Sequence, residues 1–216
     1  MPLPIQIAKH AGFCMGVKRA VDGVMQAAES RRPLVTYGEL AHNPEVVDRL
    51  KQMGVAPIDR PEDAIGKTVV IRSHGVAPQV LSQLQAVARE AIDLTCPFVK
   101  RLHDTVAAYS QDGRPVILVG QRDHPEIIGT IGWCAGQVYC VLDEAEADAL
   151  PKLAEALAVS QTTLPETTWQ AILPILEGRV ARLTVQKTIC TATVLRQAEA
   201  RALSAQVDAM LVVGGK

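Results

Sequence analysis

Aromatic residues are scarce in this chain of 216 residues, since Phe, Tyr and Trp together make up 3% of it. So few rings do not build the stacking platforms on which single-stranded nucleic acids bind. An excess of charge of one sign is also missing, because 22 basic and 23 acidic residues leave a net charge of −1. A chain this close to neutral has no general attraction for polyanions or anionic lipids. We therefore expect a local binding site for a small molecule, and neither nucleic acid nor a membrane surface as a partner.

Long apolar segments are missing too, as no apolar run approaches the roughly 20 residues that cross a bilayer. The chain also does not open with a basic stretch followed by an apolar one. We therefore expect a cytoplasmic protein. Thiols stay reduced in that compartment, so the five cysteines favour ligands, nucleophiles or core residues over a disulfide framework. No glycine-rich phosphate loop follows any predicted strand, which disfavours an ordinary nucleotide-binding protein.

Three cysteines stand where an apolar, strand-like segment runs into a helical pattern: Cys14, Cys96 and Cys190. His42 lies 28 residues after the first of them, and His124 lies 28 residues after the second. Such a fixed spacing predicts repeated structural units. The matching position in a third unit would be 218, and the chain ends at 216. We therefore expect the chain to stop short of its third contribution to the site, and to lack turnover as it stands.

Strands alternate along the chain with helices of about 10 to 15 residues, which predicts α/β units with parallel sheets and βαβ crossovers. We expect an N-terminal strand within 1–13, a first unit over 14–96, a second over 97–190, and the start of a third over 191–216. Ligands collect at the carboxyl ends of parallel strands. The candidate residues at such ends, which we expect to face one shared space, are Cys14, His42, His74, Cys96, His124, Glu126, Thr162 and Cys190.

The three repeated thiols suit a soft metal. The positive end of a helix lowers the pKa of a thiol and favours an anionic metal–sulfur centre. Any one of them could instead be a small buried apolar residue, and their spacing does not choose between iron–sulfur and zinc. Cys134 and Cys140 break the pattern, because one follows a short helix and the other lies within a strand. We expect both in the core, and we expect His103, in mid-helix, to be structural.

Histidines and one carboxylate follow the strands beside these cysteines. His42, His74 and His124 lie in turns where imidazoles and backbone N–H groups can bind an anion such as phosphate, although each could also cap its own loop. Glu126 could act as a general acid that protonates a leaving hydroxyl. Its alternative role is that of a glutamate stabilised by the N-terminal end of a helix dipole.

Six segments, taken in order, resemble the motifs of the 4-hydroxy-3-methylbut-2-enyl diphosphate reductase family, which acts last in the non-mevalonate isoprenoid pathway. They are 12–17, 69–76, 93–97, 123–130, 160–164 and 189–193. The resemblance covers the whole chain. It implies a pseudo-threefold trefoil of small parallel-sheet α/β domains around a central 4Fe-4S cluster, with the third domain only partly present.

The resemblance also implies a reaction and the residues for it. Two electrons and two protons remove the substrate hydroxyl as water, giving isopentenyl and dimethylallyl diphosphate. The electrons would come from a ferredoxin- or flavodoxin-type protein. The implied site residues are Cys14, Cys96 and Cys190 for the cluster, His42, His74, His124 and Thr162 for the allylic diphosphate substrate, and Glu126, His124 and Thr162 for catalysis.

One departure from the family lies near the third cysteine. Val194 and Leu195 stand where the family usually has a threonine and an asparagine, which changes part of the expected polar lining. The alternative function is a non-catalytic iron–sulfur or zinc-binding protein of the same fold. That alternative explains the three cysteines but assigns no function to Glu126 and Thr162.

Overall fold

The computed structural model describes residues 5–41 and 43–214. Its α-helices are α1 (Met15–Ser30), α2 (Pro44–Gln52), α3 (Pro78–Val87), α4 (Pro97–Ser110), α5 (Pro125–Ile131), α6 (Glu144–Asp148), α7 (Glu166–Arg179) and α8 (Thr191–Ser204). Its strands are β1 (Leu34–Tyr37), β2 (Ala56–Ile58), β3 (Thr68–Ile71), β4 (Glu90–Asp93), β5 (Val116–Val119), β6 (Val138–Val141), β7 (Leu153–Ser160) and β8 (Val180–Gln186). Within these residues, no helix is both long and apolar enough to cross a bilayer.

The strands form two four-stranded sheets with the same topology. The first has the order β2-β1-β3-β4 and the second the order β6-β5-β7-β8, and all pairings in both are parallel. The strand order reverses between β1 and β3 in one sheet and between β5 and β7 in the other. The predicted α/β class with parallel sheets is confirmed, and the matching topologies are the structural counterpart of the sequence repeat.

The central strands are mostly apolar because helices cover both faces of each sheet. In β3, Val69 and Val70 are both fully buried. Val70 packs with Ala20 and Val24 of α1, whereas Val69 packs with Leu84 of α3 on the opposite face. Burying each such side chain contributes about 1.5–3 kcal/mol, so these strands fix the sheet whose carboxyl edge bears the candidate residues.

Two predicted strands are absent from the described residues. Residues 5–8, in the N-terminal strand expected within 1–13, form no strand, and neither does the segment 210–213 that we expected in the third unit. Both segments are exposed, as shown by Ile5 at 89% and Leu211 at 92%. An extended segment needs a neighbour to bond its N–H and C=O groups, and neither segment pairs with another described strand. Apolar composition alone therefore does not make residues 5–8 or 210–213 a strand, and the predicted unit bounds stay a prediction.

The loop that follows β3 packs closely on α5 of the second unit. A Cβ added to Gly129 would lie 3.4 Å from the backbone of Val76, an ordinary contact, whereas one added to Gly132 would lie 2.3 Å from the Cβ of Ala77. The indole N–H of Trp133 donates to the carbonyl oxygen of Val76 at 2.9 Å. Small residues on α5 thus allow the first unit to approach the second.

This packing predicts opposite effects on stability for substitutions at Gly129, within α5, and at Gly132, directly after its last residue. Gly132→Ala should lower the free energy of unfolding by about 1–3 kcal/mol, because the new methyl group overlaps a side chain fixed to the backbone. Gly129→Ala has room for its methyl group and should be neutral or stabilising by up to about 1 kcal/mol. Denaturant unfolding of both variants tests this, and Ala77→Gly should restore stability to Gly132→Ala. Equal stability of the two single variants would contradict the described contact.

Candidate functional site

Each of the three repeated cysteines lies at the N-cap of a helix. Cys14 precedes α1 and its Sγ accepts from the N–H of Val17 at 3.5 Å. Cys190 precedes α8 in the same way, with its Sγ 3.4 Å from the N of Thr193. Cys96 precedes α4. An N-cap side chain normally accepts a hydrogen bond from one of the free N–H groups at the start of a helix. At Cys14 and Cys190 the acceptor is the sulfur atom.

The three thiols converge. A Cβ added to Gly16 would lie 2.5 Å from the Sγ of Cys96 and 4.0 Å from the Sγ of Cys14, so both sulfur atoms border the same small space. Burial raises the pKa of Cys96, backbone N–H groups of α4 oppose this, and the neighbouring Cys14 and Cys190 raise the pKa again. Negative charge on Cys96 is therefore unfavourable beside the other two thiols.

The chemistry of this set fits a cluster. All three thiols are free and partly exposed, and each lies at the positive end of a helix, which favours an anionic metal–sulfur centre. Within residues 5–41 and 43–214, no group of three or more His, Cys, Asp or Glu side chains is arranged to hold a metal ion. In a 4Fe-4S cluster the ligands are thiolates that bind different iron atoms. Thiols too widely spaced for one ion can therefore still fit a cluster.

Glu126 is the buried carboxylate of the site, with 1% of its surface exposed. Its Oε1 accepts from the backbone N–H of Thr162 at 2.6 Å, and its Oε2 accepts from the hydroxyl of Thr162 at 2.6 Å. Burial raises the pKa of Glu126, and the two hydrogen bonds from Thr162 oppose that shift. The result is a carboxyl group held in one orientation, with a pKa moved toward the range in which it can donate a proton.

Thr162 connects this carboxylate to the third thiol. Its carbonyl oxygen accepts from the N–H of Cys190 at 2.9 Å and from the hydroxyl of Thr193 at 3.1 Å. The same hydroxyl of Thr193 lies 3.0 Å from the Sγ of Cys190. Sequence reasoning gave Thr193 no role. It lies three residues after an N-cap, however, and the N–H at that position usually donates to the capping side chain. Proton-donor and thiol positions are thus joined by successive short hydrogen bonds.

Two of the three candidate histidines meet beside Glu126. The rings of His74 and His124 lie edge to face, with centroids 5.2 Å apart. The Nδ1 of His124 accepts from the N–H of Glu126 at 3.1 Å. This leaves its Nε2 to carry the proton in the neutral ring. The third, His42, lies outside the described residues, so its predicted role stays a prediction.

His103 supports the turn that carries His74. It is buried against Gly75, where an added Cβ would lie 2.7 Å from its Cε1, and its ring stacks on Trp133. Burial lowers the pKa of His103 to about 4, so the ring is neutral at pH 7. The structural role expected for this residue is confirmed.

The other two cysteines lie in the core of the second unit, as predicted. Cys140 is 8% exposed, and its thiol donates to the carbonyl oxygen of Gly120 at 3.4 Å. Burial raises the pKa of Cys134 to about 11. Both thiols are protonated at pH 7 and are poor metal ligands.

Comparison with known proteins was made by sequence and by structure. The model of the LytB protein family matches residues 5–216. The 4-hydroxy-3-methylbut-2-enyl diphosphate reductase of Caldanaerobacter subterraneus subsp. tengcongensis is 43% identical over 219 residues, which cover 99% of this chain and 76% of the relative. The reductase of the same name from Aquifex aeolicus is 40% identical, and the match covers 98% of this chain and 75% of the relative.

Two solved structures share the fold. A (E)-4-hydroxy-3-methyl-but-2-enyl diphosphate reductase, described as the terminal enzyme of the non-mevalonate pathway, superimposes with a TM-score of 0.81 at 39% identity, covering 98% of this chain and 77% of its own. The E-1-hydroxy-2-methyl-but-2-enyl-4-diphosphate reductase of Plasmodium falciparum gives a TM-score of 0.84 at 27% identity, with 90% and 63% covered. The expected α/β trefoil class agrees with both. By sequence and by fold, this chain belongs to the LytB protein family.

Proposed function

We propose that the enzyme to which this chain belongs reduces 4-hydroxy-3-methylbut-2-enyl diphosphate to isopentenyl and dimethylallyl diphosphate, using a cluster bound by Cys14, Cys96 and Cys190. Membership of the LytB family supports the reductase function. The observation that carries the assignment of roles is the hydrogen-bonded series from Glu126 through Thr162 to the Cys190 turn. It connects the proposed proton donor to the proposed metal site.

The proposed cofactor is a 4Fe-4S cluster. When bound, it would supply the two electrons that the reaction consumes and one iron atom without a protein thiolate. The chain's own contribution is three thiolates at helix N-termini, where the helix dipoles stabilise the negative charge of a thiolate–iron centre. Gly16 keeps the space beside Cys96 free, since any side chain there would collide with its sulfur atom.

The diphosphate group is proposed to bind at His74 and His124, with His42 as the third predicted contact. The ring of His124 accepts a hydrogen bond at Nδ1, so its Nε2–H can donate to an anionic oxygen. His74 lies in the turn after β3, and His124 follows β5 at the N-terminus of α5. Each position combines an imidazole with the end of a parallel strand, where anions commonly bind.

Glu126 is proposed as the proton donor. The carbon–oxygen bond to the substrate hydroxyl breaks, and a proton from Glu126 lets the oxygen leave as water. Two electrons and a second proton, which goes to the allylic carbon fragment, balance the reaction. Thr162, bonded to both carboxyl oxygens, orients the carboxyl group and lies within reach of the same hydroxyl.

The electrons are proposed to come from a ferredoxin- or flavodoxin-type protein, and the enzyme is proposed to act in the cytoplasm. All five cysteines are free in the structure, as a compartment with reduced thiols requires.

The metal assignment predicts which cysteines retain iron. Cys96→Ser should lose most of its iron after anaerobic reconstitution, because a serine hydroxyl replaces a thiolate ligand poorly. Cys140→Ser is the matched control, since it also alters a free thiol of low exposure but one that bonds only to a backbone carbonyl. Iron analysis of both folded variants is the measurement. Full iron retention in the first, or iron loss in the second without unfolding, would overturn the assignment.

The proton-donor assignment predicts the effect of Glu126→Gln. The amide keeps the shape of the side chain but cannot give up a proton, so turnover with a chemical reductant should fall by at least about 10²-fold. Iron content and substrate affinity should stay close to wild type. Wild type and variant are both assayed as the full-length enzyme, so that only the carboxyl group differs.

Glu45→Gln is the control for this variant. Glu45 is the second residue of α2, directly after Pro44, as Glu126 is the second residue of α5 after Pro125, but the side chain of Glu45 is exposed. This change should leave turnover intact. Near-normal turnover of Glu126→Gln would transfer the proton-donor role to another group.

A further inference from the structure

The helix that follows the third cysteine has little apolar packing. None of the residues of α8 is buried, so the hydrophobic contacts that normally orient a helix contribute little here. Polar contacts fix its first turn to the second unit, through the bonds of Cys190 and Thr193 to the carbonyl of Thr162. Beyond that turn, the side chain of Gln197 accepts from the N–H of Glu166 at 3.2 Å, and α8 has one further source of order.

That source is the segment just before the first cysteine. The carboxylate of Glu199 accepts from the N–H of Lys9 at 2.6 Å and from the N–H and Nδ1 of His10 at 2.9 and 2.8 Å. Arg196 donates from Nε to the carbonyl of His10 at 2.9 Å and from a terminal nitrogen to the carbonyl of Gly12 at 2.7 Å. We call this set of contacts the N-terminal clamp.

The clamp joins parts of the chain that are far apart in sequence. Its partners are separated by 184 to 190 residues, and the segment they hold has no sheet to order it, because residues 5–8 form no strand. Among the described residues, this sequence separation is bridged by Arg196 and Glu199, which make the hydrogen bonds between α8 and the segment before Cys14. Bonds from an ionised side chain to backbone groups are also stronger than neutral ones.

The clamp ends two residues before Cys14 on one side and begins six residues after Cys190 on the other. We infer that Arg196 and Glu199 are positioning residues that hold the Cys14 turn against the Cys190 turn, and so fix the separation of the first and third thiols. The consequence for cluster retention rests on the cofactor proposed above. The clamp itself belongs to the protein and exists without metal.

The test uses the complete chain in two states. In the metal-free protein, amide hydrogen exchange at Lys9 and His10 should be at least about tenfold faster in Glu199→Ala than in wild type, since both N–H groups lose their acceptor. In the cluster-loaded protein, iron loss to a chelator should be at least about tenfold faster in Glu199→Ala and Arg196→Ala. Glu199→Gln, which keeps one acceptor oxygen, should lie between wild type and Glu199→Ala in both measurements.

Arg201→Ala is the matched control. Arg201 is an exposed arginine on the same helix, and its side chain makes no hydrogen bond or ion pair with the described residues. The variant should match wild type in both measurements. Unchanged exchange in Glu199→Ala would overturn the clamp, and faster exchange with wild-type iron retention would overturn its link to the thiols. A wild-type chain that takes up no iron would contradict the proposed cofactor instead, and the exchange measurement would still decide whether the clamp exists.

Discussion

The site depends on one local constraint, the turn in which a helix begins with a cysteine at its N-cap, which follows a parallel strand at Cys96 and Cys190. A side chain there must accept from free N–H groups at the helix start, and in α1 and α8 it is the sulfur atom that does so. The turn therefore directs each thiol and places it at the positive end of a helix dipole. Because the chain repeats the turn three times, three thiols meet without any of them being close to another in sequence.

The convergence requires the α/β units to approach closely. Gly129 and Gly132 let the loop after β3 pack on α5, and that loop carries His74 toward His124. Thr162 then ties Glu126 to the Cys190 turn. The groups proposed to bind the anion, donate the proton and bind the metal thus come from different loops, but contacts between the units bring them together.

Much of this arrangement could be predicted from the sequence, because apolar runs, helical periodicity and a fixed spacing are local signals. The parallel sheets follow from them, and so does the placement of Cys134 and Cys140 in the core. Residues 5–8 and 210–213 are apolar but form no strand, because strand formation depends on a neighbour that no local pattern reveals. Contacts such as the one from the hydroxyl of Thr193 to the carbonyl of Thr162, or from Glu199 to the backbone of His10, connect groups whose proximity is a product of the whole fold.

Three converging thiols are the central claim of this account, and the composition of the metal centre tests it most directly. The protein is purified without oxygen, its visible spectrum is recorded, and iron and acid-labile sulfide are counted per chain. The account predicts a brown protein with broad thiolate–iron absorption and about four iron and four sulfide atoms per chain. A colourless protein that contains zinc, or no metal, would contradict it.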